Sequence, residues 1–355
     1  MSVRIALHSR VILARSRWAH KMATAVVVCA FWLIMHAAHA SDIAAQRNVT
    51  LSPDGSLIAY VESEQGTPYI WVAHAHNPAN RRALTIWNSA FVSYVWSADS
   101  SRLVFQRRDD NGNYQLGIFP VDQKGEPAWY PGGVNAALRR YVLTDDGSLV
   151  GLEMDGEGAH VRTFSSGGTD RREVLTIAAA DEAWMTPAGT LVAYHRAGRW
   201  YVGRRGGYRE IADMQGAHVI SADSQAVYAV KAATGGDVRL MKYNVDDQHE
   251  TFLTRLPAAS TSVTPSDASV RLIRPTSDAP WMAVDSQLEM DVAYANAKGM
   301  GEAEHIQVSD DGKTWLLTLN PGDFPGNARY AIYDADDKAF ALLFGPSGSA
   351  LGSVH

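Results

Sequence analysis

Cysteine is almost absent from this chain of 355 residues, since the only one is Cys29, close to the N-terminus. A chain that loses this segment on export has no disulfide, so a hydrophobic core must hold it together. After residue 40 the sequence also lacks any amphipathic stretch of helical period twelve residues or longer. That absence argues against a helical fold.

Positive charge is scarce as well. The formal net charge is −6, and removing residues 1–40, which carry five basic residues and no acidic ones, makes it −11. A nucleic-acid-binding surface needs a basic face to neutralise phosphates. We therefore expect no nucleic-acid partner.

The first forty residues have the composition of an export signal. Their basic start is followed by an uncharged apolar run over residues 23–35 and by Ala38-His39-Ala40. This pattern predicts a signal peptide over residues 1–40, cleaved between Ala40 and Ser41. The alternative is an uncleaved anchor, because residues 22–40 contain no charge and are just long enough to span a membrane. With cleavage, we expect an exported protein, periplasmic or extracellular, without a membrane span.

Turn-like tetrapeptides recur along the rest of the chain. Ser52-Pro53-Asp54-Gly55 has the residues typical of a type I turn, and a strand-like apolar and aromatic run follows it. Similar turns recur at regular spacing, and a degraded copy, Thr264-Pro265-Ser266-Asp267, fills the one long gap. The marker residues are Asp54, Asp99, Asp146, Ala188, Asp223, Asp267 and Asp311, and four of them are followed by Gly55, Gly147, Gly189 and Gly312.

The spacing of these markers indicates the fold class. It ranges from 35 to 47 residues, and propeller blades take about 40–45 residues for four strands. The shortest repeat still has room for strands at 191–196, 200–204, 208–212 and 217–221. We predict an all-β fold, a seven-bladed β-propeller of four-stranded antiparallel blades over residues 41–345, with six or eight blades as alternatives. Residues 346–355 are predicted to be a flexible C-terminal tail.

Two parts of the predicted ring differ from the regular pattern. The sixth blade is the least regular, because Lys298-Gly299-Met300-Gly301-Glu302 interrupts it. The last blade has its own complete set of strands, so no N-terminal strand is needed to finish it. We expect a ring that is not closed by a strand, with the first and last blades meeting through side-chain packing only.

The repeat unit resembles a known family. Ser-Pro-Asp-Gly followed by a strand, and VSDDGKTWLLTLNPGDFPGNARYAIYD from Val308 to Asp334, look like the N-terminal propeller of serine peptidases of the prolyl oligopeptidase family, in the acylaminoacyl and dipeptidyl peptidase branch. TolB-like periplasmic propellers are the nearest alternative. The resemblance implies a propeller of seven or eight blades that filters substrates for a separate C-terminal α/β-hydrolase domain.

The sequence itself provides no recognisable serine nucleophile. A nucleophile elbow has the pattern Gly-x-Ser-x-Gly between a strand and a helix. The nearest match, Gly345-Pro346-Ser347-Gly348-Ser349, has Ser in place of the last Gly. Because the chain stops at His355, about where the hydrolase domain would begin, we expect a truncated or split peptidase. No catalytic or cofactor-binding residue is predicted, and no cofactor.

Metal sites are disfavoured on similar grounds. Asp109, Asn111 and Asn113 have calcium-loop spacing, but Tyr114 stands where such a loop needs Gly, so a hairpin turn is the better interpretation. His74 and His76 share one face of a predicted strand, yet no third ligand for zinc is identifiable.

Two classes of function therefore remain open. The first is a non-catalytic module that binds a peptide or protein or gates substrate access, either with a separately encoded hydrolase domain as partner or as a TolB-like interaction scaffold. The second is a propeller enzyme with its site at the central channel. The first is favoured, because a fold alone does not establish chemistry and no motif supplies it.

Overall fold

The computed structural model describes residues 47–64, 67–86, 91–108, 111, 114–122, 127–134, 140–144, 147–164, 171–204, 207–211, 214, 217–233, 236–247, 249–258, 260, 263–298, 303–319 and 330–343. The chain divides into two units, Met1–Arg47 and Asn48–His355. Ala40 and Ser41 lie outside the described residues, so signal cleavage stays a prediction. None of the helices formed by the described residues is both long and apolar enough to span a bilayer.

The described strands form seven antiparallel sheets, each built from one continuous segment of chain. Blade 1 contains β1 Arg47–Leu51, β2 Leu57–Glu64, β3 Thr67–His74 and β4 Asn77–Ile86, and blade 2 contains β5 Phe91–Trp96, β6 Arg102–Arg108, β7 Tyr114–Pro120 and β8 Ala128–Val134. Blade 3 contains β9 Arg140–Leu143, β10 Leu149–Met154, β11 Gly158–Phe164 and β12 Arg171–Ala178, and blade 4 contains β13 Glu182–Met185, β14 Leu191–Arg196, β15 Arg199–Val202 and β16 Arg209–Glu210. Blade 5 contains β17 His218–Ala222, β18 Ala226–Ala232, β19 Val238–Asn244 and β20 Glu250–Leu256. Blade 6 contains β21 Thr264–Pro265, β22 Leu272–Arg274 and β23 Met282–Ala283. Blade 7 contains β24 His305–Val308, β25 Thr314–Thr318, β26 Tyr330–Asp334 and β27 Ala339–Leu343.

The blades are arranged as a ring around their first strands. First strands of neighbouring blades approach one another, as β5 and β9, β13 and β17, and β17 and β21 do. The first strand of each blade therefore lines the centre, and the later strands lie progressively further out. The seven-bladed propeller predicted from the turn spacing is confirmed.

The sixth blade departs from the predicted pattern. Its described part has three strands rather than four, and a short helix, α1 Glu289–Ala297, follows a 3₁₀ turn at Ser286–Leu288. Helix α1 thus follows the third described strand, at the place in the chain where the other blades have their fourth strand. The helix buries Val292 and Ala295 against a core that includes Trp281 and Trp315, which provides the apolar contact that a fourth strand would otherwise make.

Among the described residues, seven hydrophobic cores lie between the blades and hold the ring together. Each contains residues from two neighbouring sheets; Val104 and Leu116 of blade 2, for example, pack with Leu149 of blade 3. The remaining cores join blades 1 and 2, 3 and 4, 4 and 5, 5 and 6, 6 and 7, and 7 and 1. Every described sheet is thus covered on both faces by its neighbours.

The first and last blades meet at a seam without sharing a sheet, as expected. Ile58 of blade 1 packs there with Leu316 of blade 7. Hydrogen bonds also cross the seam: the Asp310 N–H donates to the Pro53 carbonyl (2.7 Å), and the Leu51 N–H donates to Gln307 Oε1 (2.9 Å). The expectation that side-chain packing alone joins these blades is therefore wrong, because the turns of the two blades are close enough for direct backbone contact.

Gly55 lies in close contact with blade 7 at the seam. Its φ is +75°, and a Cβ atom built on it would lie 2.8 Å from Ser309 Cβ and 2.9 Å from Thr314 Cβ, both in blade 7. Neither neighbouring atom lies at the end of a flexible side chain. The turn of blade 1 therefore needs glycine both for its backbone conformation and for its approach to blade 7.

We predict that Gly55→Ala destabilises the propeller more than a matched control does. Gly198→Ala is the control, since Gly198 has nearly the same φ, +77°, with no atom within 4 Å of its built Cβ. The control should lower the free energy of unfolding by about 1–2 kcal/mol through backbone strain alone. Gly55→Ala should add about 1–3 kcal/mol, because the two blades must move apart. Urea unfolding measures both variants, and equal losses would contradict a tight seam.

Candidate functional site

The repeated turns lie together on one face of the ring. Each connects the first strand of a blade to the second, and all first strands line the channel, so the turns surround one mouth of it. We call this face, formed by residues 52–55, 97–100, 144, 147, 186–189, 223–225, 266–270 and 309–312, the turn face. Asp146, one of the predicted turn residues, lies outside the described residues.

Hydrogen bonds within the turns fix their shape. Ser52 Oγ donates to Asp54 Oδ1 (2.6 Å) and accepts from the Leu57 N–H (2.9 Å), and Ser309 Oγ does the same with Asp311 (2.6 Å) and Thr314 (3.0 Å). Burial alone would raise the pKa of the Asp54 and Asp311 carboxyls, but these hydrogen bonds outweigh it and hold the pKa of both below the usual range. The recurring aspartate is therefore bonded to its own turn.

The other turns vary this arrangement. Asp99 is bonded to Ser97 and Ser101 in the same way, with its pKa held low by these hydroxyls, and Ser100 takes the left-handed position with a φ of 58°. Gly147, Gly189 and Gly312 donate their N–H groups back across their turns to Thr144, Thr186 and Ser309. Blade 4 has Ala188 where the others have aspartate.

The turns of blades 5 and 6 differ from the predicted pattern more strongly. Asp223 accepts the N–H groups of Gln225 and Ala226, both at 2.7 Å, and the Tyr228 hydroxyl at 2.9 Å. In blade 6 the turn begins at Ser266, since Thr264 and Pro265 form β21. Our alignment of Thr264 with the first position of the turn is wrong, because it is Ser266 Oγ that accepts the N–H of the next strand, from Leu272 (3.0 Å).

A cavity of about 680 Å³ opens on the turn face. Its walls come from the turns of six of the seven blades, so it lies at the mouth of the central channel. Its lining consists of Ala98, Leu143, Thr144, Pro187, Ala188, Asp223, Ser224, Asp267, Ala268, Ser269, Arg271 and Asp310.

Arg271 organises the charged side of the cavity. Its Nε donates to Asp267 Oδ2 (3.0 Å), and its terminal nitrogens donate to the carbonyls of Val308 (2.8 Å) and Asp310 (3.2 Å). These bonds tie blade 6 to blade 7 and direct the guanidinium toward protein acceptors. Arg271 therefore acts mainly as a structural cation at the wall of the cavity.

Asp310 is the third carboxylate of the cavity lining, after Asp223 and Asp267. Among the described residues its side chain makes no hydrogen bond or ion pair, while its N–H is fixed to Pro53. Burial raises its pKa; Arg271 opposes that rise, and the nearby carboxylates of Asp267, Asp311 and Asp54 add to it. Sequence reasoning missed Asp310, because it stands one position before the recurring aspartate.

We predict that Asp267→Asn lowers the pKa of Asp310. The change removes a nearby negative charge and leaves Arg271 without its carboxylate partner, and both effects favour ionised Asp310. Carbon-detected NMR titration of the aspartate side chains, in wild type and variant, measures the shift. Asp337→Asn, on the exposed turn between β26 and β27, is the control and should leave Asp310 nearly unchanged. An unchanged or raised Asp310 pKa in Asp267→Asn would contradict the electrostatic description.

The cavity is suited to binding by charge and apolar contact. Its lining includes no histidine, cysteine or lysine, and the described residues contain no group of three or more His, Cys, Asp or Glu placed to hold a metal. His76 lies past the end of β3 at the seam, with Nδ1 3.7 Å from Asp334 and Nε2 3.4 Å from Thr314 Oγ1. Asn111 is exposed, whereas Asp109, Asn113 and Ser347 lie outside the described residues.

Comparison with known proteins agrees with the resemblance seen in the repeat unit. No family model matches the chain. Dipeptidyl aminopeptidase BIII from Pseudoxanthomonas mexicana is 22% identical over 322 residues, covering 84% of this chain and 46% of that protein. A puromycin-hydrolyzing peptidase from Mycobacterium tuberculosis superposes with a TM-score of 0.55 at 16% identity, over 86% of this chain and 54% of that one. A putative TolB from Agrobacterium tumefaciens gives a TM-score of 0.39 at 16% identity, over 59% of this chain and 80% of that one.

These findings define the class of protein. The chain is a seven-bladed β-propeller with a cavity at the channel mouth, and the predicted similarity to a dipeptidyl peptidase is confirmed. The chain spans about half the length of the peptidases it matches.

Proposed function

We propose that this protein is a non-catalytic propeller that binds a peptide, or an extended segment of a protein, in the turn-face cavity. The cavity is the observation that carries the proposal. Its volume of about 680 Å³ falls within the range of about 300–1,000 Å³ usual for ligand pockets. A wall built from six blades can accept an extended chain entering the channel.

The comparisons support a peptide as the ligand. The curated relative is named as a dipeptidyl aminopeptidase, and propellers of that kind stand beside the hydrolase domain in the family that the repeat unit resembles. The protein would then bind peptides or gate their passage, with a separately encoded hydrolase domain as one partner. The export signal proposed for residues 1–40 would place this activity in the periplasm or outside the cell.

A channel enzyme is the second candidate. The lining offers Ser224, Ser269 and Thr144 as hydroxyls but no histidine or lysine to activate them. Binding is therefore better supported than catalysis by the cavity itself.

We predict that the mature chain, residues 41–355, is not labelled by a fluorophosphonate probe. Such probes react with serines activated by a neighbouring base, and none of the serines lining the cavity has a histidine beside it. In-gel fluorescence of native and heat-denatured protein is the measurement, and a purified serine esterase is the positive control. Labelling that disappears on denaturation would contradict the non-catalytic proposal.

We predict that a bulky side chain in the cavity blocks peptide binding. Ala188 is exposed and lines the cavity, so Ala188→Trp should weaken binding of a fluorescent pool of random hexapeptides at least tenfold. Thr251→Trp, on the outermost strand of blade 5, is the matched control and should bind like wild type. Fluorescence anisotropy measures both. Equal binding by the two variants would place the peptide elsewhere, and no binding by wild type would reject the proposed function.

A further inference from the structure

The turn-face cavity has two chemically different halves. The turns of blades 2 to 4 contribute Ala98, Leu143, Pro187 and Ala188, with Thr144 as the one polar side chain. The turns of blades 5 to 7 contribute Asp223, Asp267 and Asp310, with Arg271 as the one cation. A ligand that fills the cavity therefore meets apolar groups on one side and carboxylates on the other.

Most of the charge on the acidic half is already paired or hydrogen-bonded. Asp267 is paired with Arg271, and Asp223 accepts two backbone N–H groups and the Tyr228 hydroxyl. Asp310 differs from both, since its carboxylate makes no hydrogen bond or ion pair with any described residue, and Arg271 acts on it only as a nearby charge. It is thus the group on this wall whose hydrogen-bonding capacity is left for a ligand.

The position of Asp310 is fixed even though its side chain is unpaired. Its N–H is bonded to Pro53 across the seam, and its carbonyl accepts from Arg271. The residue is therefore held from two neighbouring blades at once. Because this backbone is already fixed, its carboxylate can bind a cation with little further loss of backbone conformational entropy.

We propose that the cavity selects peptide segments in which a lysine or arginine side chain stands next to an apolar one. The cation lies at Asp310, and the apolar side chain lies against Leu143, Pro187 and Ala188. This inference rests on the proposed function, because it names the class of peptide that the same cavity accepts. The balance of charge supports it, since pairing Arg271 with Asp267 leaves the wall negative.

Four short peptides test the inference. All are hexapeptides of the form Gly-Gly-x-y-Gly-Gly, in which x-y is Lys-Leu, Lys-Gly, Gly-Leu or Glu-Leu. Both ends are capped, by acetylation and amidation, so any charge on a peptide comes from its x side chain, and the Gly-Leu peptide is uncharged. Competition against the fluorescent hexapeptide pool gives their relative affinities. Lys-Leu should bind at least tenfold more tightly than Glu-Leu, and more tightly than Lys-Gly or Gly-Leu.

Asp310→Asn should remove most of the preference for Lys-Leu over Gly-Leu without abolishing binding of the pool. Asp337→Asn changes the same net charge on an exposed turn of the same blade and should preserve the preference. Circular dichroism confirms that both variants fold. An equal effect of both variants would show a general charge effect and overturn the assignment to Asp310.

The outcomes separate the inference from the proposed function. If the pool binds in the cavity but the four peptides compete equally, the cavity accepts peptides without this selectivity, and the inference is wrong while the function stands. If Glu-Leu competes best, the inference is also wrong. If neither the pool nor any of the four peptides binds, the proposed function and the inference both fail.

Discussion

Burial of both faces of every sheet is the constraint on which this structure depends. Ile58, Leu103 and Leu149 are completely buried on second strands of successive blades, and each fully buried aliphatic side chain contributes about 1.5–3 kcal/mol. A blade alone would expose the apolar side chains on both of its faces. Only a closed ring gives every blade two neighbours, and the core between blades 7 and 1 completes it. With Cys29 as the only cysteine, no disulfide within the chain substitutes for this packing.

The turns align the blades that the cores hold together. A serine hydroxyl that bonds both the aspartate and the next strand fixes where each first strand ends, as at Ser52 and Ser309. The same turns also contact the neighbouring blade: Gly55 lies against blade 7, and Gly312 lies against Leu288 of blade 6. Local hydrogen bonding and contact between blades are therefore provided by the same four residues.

The regular parts of the fold could be predicted from sequence because their causes are local. Turn spacing set the number of blades, and strands such as Leu191–Arg196 and Ala226–Ala232 follow from runs of apolar residues between turns. Helix α1 could not be predicted in this way. It has nine residues, of which Val292 and Ala295 are buried, too few to produce a helical pattern, and tertiary contact with Trp281 and Trp315 decides its conformation.

The seam and the cavity depend on contacts that have no local signal. Leu51 and Gln307 are 256 residues apart in the chain yet joined by a hydrogen bond. Recurrence drew attention to Asp54 and Asp311, which are bonded within their own turns, whereas the cavity is lined by Asp310 beside them. A repeated residue indicates what every blade needs. A residue that acts on a ligand is needed in one blade, so repetition cannot reveal it.

Within each turn, different positions maintain the fold and line the cavity. In blades 1, 2, 4 and 7, the first position of the turn carries serine or threonine, the third carries aspartate except for Ala188 in blade 4, and the fourth carries the residue with positive φ. The second position is Pro53, Ala98, Pro187 or Asp310 in these four blades. Three of these four line the cavity. Because the hydrogen bonds of the turn do not involve the second side chain, that position can change from apolar to acidic without loss of the fold. The propeller can thus keep similar turns in blades 1, 2, 4 and 7 while the residues that these turns present to the cavity change from apolar to acidic.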